Sequence, residues 1–217
     1  MQRKRVAILI SGRGSNMAAL ISAAADPDYP AEIVLVVSNR ADAAGLVRAR
    51  AAKIATLVVD HKTFGKDRET FERALDSELA SRQIDVICLA GFMRLFTPWF
   101  VSRWQGRMIN IHPALLPAFK GLDTHERALA AGVKVHGASV HFVIPEMDSG
   151  PIIVQSAVPV RDDDSPDTLA ARVLVAEHRI YPLALRWLAE GRLTVVDGRC
   201  KVAGVSDHAE MLISPSV

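Results

Sequence analysis

Two cysteines among 217 residues are too few for a disulfide framework. Cys88 lies inside the apolar run 86–89 and Cys200 in a short strand-like segment, so both read as small hydrophobes of a chain kept in a reducing, cytoplasmic compartment. An excess of charge of one sign is missing too. Twenty-six Lys and Arg stand against twenty-four Asp and Glu, scattered rather than gathered into a stripe, which gives no footing for broad contact with a nucleic-acid backbone. Long apolar runs are absent. Residues 6–10, behind Arg3, Lys4 and Arg5, are too few for a secretory core, and no stretch is long enough to cross a bilayer, so no membrane partner is expected. Internal repeats, low-complexity tracts and domain linkers are also lacking. The expectation is one domain over 1–217, with 205–217 a loose tail.

What is present is alternation of short apolar runs with helix-like stretches, the mark of β-α-β units around a parallel sheet. Segments 6–10, 33–37, 57–60, 86–89 and 108–111 read as strands. Their continuous apolar character means cover on both faces. Helices are expected at 15–25, 42–52, 68–81 and 98–104. Two further strands follow at 135–143 and 152–160, separated by turn-rich 145–151. Asp164, Ser165, Pro166 and Asp167 then cap a long helix that runs to about Glu190 and stops at Gly191. Segments 193–196 and 199–202 form a hairpin closed by Asp197-Gly198 in a type I′ turn. The fold class is α/β: a single-domain, mostly parallel sheet flanked by helices. In such sheets ligands lie beyond the carboxyl ends of the strands, so the residues just after each strand carry the chemistry.

The first strand runs into Ser11-Gly12-Arg13-Gly14-Ser15-Asn16, and Met17 to Leu20 open a helix. Free amides at a helix start, at the positive end of its dipole, suit a phosphate. Met17 occupies the place of the third glycine of a dinucleotide fingerprint, and the Gly-Lys pair of a Walker loop is absent. A phosphate nest and a tight turn capped by Ser15 are both open readings of this loop.

The fifth strand ends in Asn110-Ile111-His112-Pro113, and period two puts Asn110 and His112 on one side. An amide donor beside an imidazole suits acyl transfer: the donors meet the developing oxyanion, and a group that titrates near neutrality moves the amine proton. If segment 135–143 runs parallel to the fifth strand, its exit loop brings Asp148 to the same crevice, where a carboxylate would steady the charged form of His112. Asp148-Ser149-Gly150 is also an ordinary turn sequence. His125, His136 and His141 have no metal-ligand spacing, so no metal is expected.

With these residues in view, the chain resembles the folate-dependent glycinamide ribonucleotide formyltransferases of purine synthesis. The likeness spans almost the whole chain. It is carried by Ser11 to Asn16, Leu89-Ala90-Gly91-Phe92-Met93-Arg94, the run from Asn110 to Pro117, the run from His136 to Val143, and Asp148-Ser149-Gly150-Pro151. The resemblance implies 10-formyltetrahydrofolate as donor co-substrate and the amine of glycinamide ribonucleotide as acceptor, with a Rossmann-like formyltransferase fold acting as monomer or homodimer. It implies that Gly14, Ser15 and Asn16 hold the substrate phosphate. Asn110 and His112 would stabilise and protonate the tetrahedral adduct, with Asp148 positioning His112 or an ordered water. The folate would lie along Met93, Arg94, Leu95 and Phe96 and against Asn110, Ile144, Pro145, Glu146, Met147 and Asp148, with Arg68 near its ring or tail. Glu177 would receive the amino end of the substrate. It falls at the margin of the apolar face formed by Leu169, Val173, Ile180, Ala184 and Trp187, where an unpaired charge is unfavourable, although Arg172 or Arg179 could pair with it instead.

Two positions depart from the family pattern. Asp123-Thr124-His125 stands where His-Thr-His is common, which leaves the role of Asp123 open, and Ser149 replaces a frequent glycine. A formyltetrahydrofolate hydrolase or a methionyl-tRNA formyltransferase would share the Asn-His-Asp group. The first is expected to carry an amino-terminal regulatory domain and the second a carboxyl-terminal RNA domain. An oxidoreductase needs the missing third glycine, and a plain sugar-phosphate binding module leaves His112 and Asp148 without a task.

Overall fold

The computed structural model describes residues 2–205 and 214. Most of the tail expected to be loose, 206–213 and 215–217, lies outside the described residues.

Seven strands form one sheet in the order β3-β2-β1-β4-β5-β6-β7. They are β1 (Lys4–Ile10), β2 (Ala31–Ser38), β3 (Ala55–Val58), β4 (Val86–Leu89), β5 (Met108–His112), β6 (Val135–Phe142) and β7 (Ile152–Pro159). Strands β1 to β5 pair in parallel, whereas β5–β6 and β6–β7 are antiparallel. Helices α1 (Ser15–Ala24), α2 (Ala44–Ala51), α3 (Arg68–Ser81), α4 (Pro98–Arg103), α5 (Thr124–Ala130) and α6 (Pro166–Ala189) cover the sheet, and a small hairpin of β8 (Leu193–Val196) and β9 (Arg199–Val202) follows.

The apolar strands sort their side chains by parity. Val6, Ile8 and Ile10 of β1 pack into the core beneath α1, α2 and α6, while Ala7 and Leu9 pack into the core beneath α3 and α4. Two-sided burial is the physical reason β1, β4 and β5 read as unbroken hydrophobic runs, whereas β3, expected to be covered on both faces as well, lies at the sheet edge and is only partly buried. Ser165 caps α6 with a reciprocal box to Thr168, as the sequence foretells, and Asp197 and Gly198 both take positive φ (50° and 73°), as a type I′ turn requires.

Three features differ from the sequence expectation. Strand β6 runs antiparallel to β5 rather than parallel: the helix of the connection, α5, has seven residues and spans only about 10 Å, so the next strand sets out from the end at which β5 stops. Helix α5 itself and the 3₁₀ turn His61–Phe64 escape detection, since seven and four residues are too few to display a period. Strand β3 starts two residues earlier than expected, and Asp60 instead caps the 3₁₀ turn through the Lys62 amide.

The chain leaves β1 toward β2 and β3, then crosses back to β4. The strand order therefore switches direction between β1 and β4, and the loops after these two strands border a crevice at the carboxyl edge of the sheet. Helix α6 is locked across this point by Tyr181, fully buried, whose hydroxyl reaches the carbonyl oxygens of Leu89 (2.8 Å) and Ile109 (3.2 Å).

Candidate active site

Gly14 precedes α1 in the left-handed conformation (φ 70°, ψ 37°), and no side chain caps the helix. Ser15 is thus the first helical residue rather than a cap, and the first turn carries no acidic residue, leaving its amides facing the crevice. A cleft of about 570 Å³ opens there, bordered by residues 11–16, by Asn39, Arg40 and His61, and by Ala90, Gly91, Met93 and Arg94. Ser11, the first residue of the glycine-rich loop and one given no role of its own above, joins the two walls of the cleft. Its amide donates to the Gly91 carbonyl (3.1 Å), its hydroxyl accepts from the Met93 amide (2.8 Å) and donates to Asn39 Oδ1 (2.6 Å).

Asn16 turns away from the loop and donates through Nδ2 to Glu177 Oε2 (2.6 Å), while its Oδ1 is buried without a partner. Glu177 is buried on α6 one turn before Tyr181, and desolvation raises its pKa against the opposing Asn16 bond. Neither arginine considered as its partner reaches it. Arg172 is committed to Asp164 through both carboxylate oxygens (2.7 and 2.8 Å), and Arg179 is exposed. Among the described residues no cation pairs with Glu177, so a cationic ligand amine would supply what the fold withholds.

Residues far apart in sequence meet at the carboxyl end of β5, beyond the lining of that cleft. His112 Nδ1 lies 3.4 Å from Asp148 Oδ2, with side-chain exposures of 6% and 10%. His112 Nε2 faces the Phe119 carbonyl oxygen at 3.0 Å and so carries a proton. Asp148 Oδ2 also accepts from the Gly121 amide (2.9 Å), tying the loop after β5 to the loop after β6. Because β6 is antiparallel, its exit lies toward the start of β5, and residues 143–150 double back to deliver Asp148. Two backbone features make the reversal: Asp148 takes φ 49°, and a Cβ at Gly150 would overlap the Phe142 carbonyl oxygen.

His141, set aside in the sequence reading along with the other histidines, stands opposite Asn110 in the β5–β6 ladder. Its Nδ1–H donates to the Phe142 carbonyl (2.8 Å), which leaves Nε2 with a lone pair that accepts from Asn110 Nδ2 (3.2 Å). Burial lowers its pKa and holds it in this neutral form, although Asp148 opposes the shift from 3.7 Å. One amide proton of Asn110 is thereby fixed, and with it the direction of the whole group. The signal that could have found His141 is the alternation of β6 against β5, but it requires knowing the antiparallel register.

Of the remaining sequence candidates, Met93 (69% exposed), Leu95 (57%) and Met147 (50%) present large apolar surfaces, and Arg94, Phe96, Ile144, Pro145 and Glu146 flank them on the same two loops. Such exposure in a chain with two well-filled cores suits a ligand-covered surface. Arg68 is exposed at the start of α3 and does not border the glycine-loop cleft. Asp123 is exposed with φ 55° ahead of α5 and makes no capping bond there.

The chain is 49% identical over 188 residues to phosphoribosylglycinamide formyltransferase of Escherichia coli, covering 87% of this chain and 88% of that protein. It is 50% identical over 190 residues to the trifunctional purine biosynthetic protein adenosine-3 of Bos taurus, of which it spans only 19%. The crystal structure of glycinamide ribonucleotide transformylase 1 from Symbiobacterium toebii superposes with a TM-score of 0.89 at 44% identity, over 92% of this chain and 94% of that one. A formyltetrahydrofolate deformylase from Pseudomonas syringae shares the fold at TM-score 0.86 and 29% identity, over 93% of this chain and 66% of that one. The formyl transferase family model matches residues 4–185, and the chain belongs to that family.

Proposed function

We propose that this chain transfers the formyl group of 10-formyltetrahydrofolate to the primary amine of glycinamide ribonucleotide, a step of purine synthesis, without a metal. The observation that carries the reading is the convergence of Asn110, His112 and Asp148 at the carboxyl end of β5, on the same sheet edge as the uncapped amides of α1, with a buried carboxylate on α6 that no cation pairs among the described residues.

In this reading the glycine-loop amides and Ser15 take the substrate phosphate, and Glu177 with Asn16 draws the amino end toward the reacting centre. The neutral amine attacks the formyl carbon, whose carbonyl bond opens to an oxyanion. The Asn110 amide, aimed by His141, and the His112 imidazole stabilise that charge. The ammonium proton of the adduct passes to the folate nitrogen, directly or through His112 or a water that Asp148 orients. The carbon–nitrogen bond to the folate then breaks, releasing tetrahydrofolate and the formamide. Met93, Leu95 and Phe96 on one side and Ile144 to Met147 on the other cover the folate. Two free cysteines suit a cytoplasmic setting.

The deciding experiment offers 10-formyltetrahydrofolate with glycinamide ribonucleotide in water and follows both formamide and free formate. Formamide as the dominant product supports the transferase. Formate released at the same rate with and without the amine substrate would instead identify a hydrolase, the activity in the name of the Pseudomonas relative.

A further inference from the structure

Glu72 is a charged-type side chain placed where an apolar one would be expected. It sits on α3, is 1% exposed, and is surrounded by the apolar core beneath α3 and α4. Among the described residues no lysine or arginine forms an ion pair with it. Both of its carboxylate oxygens are spent on one residue: Oε1 accepts the Thr97 amide at 2.7 Å and Oε2 accepts the Thr97 hydroxyl. A buried carboxylate is expensive to keep, so a position that holds one against a single partner must need that partner held.

Thr97 ends the loop that follows β4 and precedes α4, whose N-terminus has no side-chain cap of its own. The loop's other end is held by Ser11, which accepts from the Met93 amide. Between these two points the segment is supported by rings rather than polar bonds. Phe96 stacks on Phe92 (5.3 Å) and on Phe100 (4.4 Å), and the Arg94 guanidinium lies over the Phe71 ring of α3 at 5.4 Å. Stacked rings slide at little energetic penalty, whereas a two-oxygen grip on one amide and one hydroxyl fixes both distance and direction.

We infer that Glu72 is a positioning residue for the folate co-substrate: by gripping Thr97 from beneath, it sets the height and direction of the wall formed by Met93, Leu95 and Phe96, without touching the ligand itself. This rests on the placement of the folate along that wall, given above. Glu72 and Thr97 make no contact with the glycine loop or with Glu177, and the Met93 end of the wall, which borders the phosphate cleft, is pinned separately by Ser11, so the effect falls mainly on the folate.

The test uses the full chain and steady-state kinetics with both substrates. Glu72→Met fills the same buried volume and leaves Thr97 ungripped. It is expected to raise the KM for 10-formyltetrahydrofolate about tenfold, the loss of a charge-assisted hydrogen bond, with the KM for glycinamide ribonucleotide within twofold. Glu72→Gln, which can accept from the amide and donate to the hydroxyl oxygen, should recover most of the loss. Thr97→Val, which keeps the backbone bond and is the milder change should Glu72→Met fold poorly, should give a smaller rise confined to the same substrate. Leu95→Ala, exposed and outside the core, separates this inference from its premise. If Leu95→Ala raises the folate KM and neither Glu72→Met nor Thr97→Val does, the positioning role is overturned and the folate placement stands. If Leu95→Ala also leaves the folate KM unchanged, the placement falls and this inference with it. Equal rises for both substrates in step with a fall in Tm would likewise overturn it, marking Glu72 as a fold residue only.

Discussion

At the residue scale the site is an arrangement of proton donors whose directions are fixed by neighbours. His112 donates through Nε2 to the Phe119 carbonyl with the Asp148 carboxylate 3.4 Å from its Nδ1, and Asn110 is aimed by a histidine that burial keeps neutral. His112→Ala should lower kcat about 10² to 10⁴-fold, the usual range for removing a general acid–base group, a loss measured on the folded variant because removing this buried, hydrogen-bonded ring also lowers Tm. Full turnover in that variant would take the imidazole out of the mechanism. Glu177→Gln keeps the shape and the Asn16 contact but deletes the charge, so the KM for the amine substrate should rise about tenfold while the folate KM stays level. The meeting of His112 and Asp148 beside Asn110 was legible in the sequence because these residue types are few and the chemistry they suit is specific. His141 and Ser11 were not, since each acts through a hydrogen bond whose partner lies 31 and 28 residues away and no local pattern announces it.

At the element scale, strands β1, β2 and β4 and the long helix α6 were readable because two-sided burial writes an unbroken apolar run and because a capping box marks the helix start. The direction of β6 was not, since side-chain periodicity is the same for a parallel and an antiparallel strand. Asp148 nonetheless arrives where the sequence placed it, by a different route: the loop doubles back instead of emerging beside His112. That route makes Gly150 indispensable. Gly150→Ala would drive a methyl group into the Phe142 carbonyl, and relief requires the loop to lift, carrying Asp148 from His112. Activity should fall at least about a hundredfold, while the β5–β6 ladder, whose bonds precede the reversal, keeps its protection in hydrogen exchange. A variant with normal turnover would mean that the loop tolerates the displacement and that the 3.4 Å approach is not needed.

At the scale of the whole molecule, the histidines behind the site set how stability follows pH. His136 is 1% exposed, its ring meets His125 edge-on at 5.4 Å, and burial together with that neighbour lowers its pKa from 6.5 to about 4. His125, His141 and His178 are lowered as well, each first by burial. Unfolding frees these rings to bind protons at their ordinary pKa, so between about pH 6.5 and 4 the unfolded chain holds more protons than the folded one, and stability falls as the pH drops through that window. For His136 alone the full difference is on the order of 3 kcal/mol, reached only near pH 4. Asp164 acts at a lower pH: its bond to Arg172 holds its carboxyl far below the usual range, so its contribution fades only in stronger acid. His136→Phe preserves an aromatic edge toward His125 and Phe119 and cannot take a proton. Thermal melts at pH 7.5 and 5 should therefore show a smaller drop in Tm for His136→Phe than for the unaltered protein, the two nearly agreeing at the higher pH. An equal drop in both would place the acid sensitivity elsewhere in the molecule.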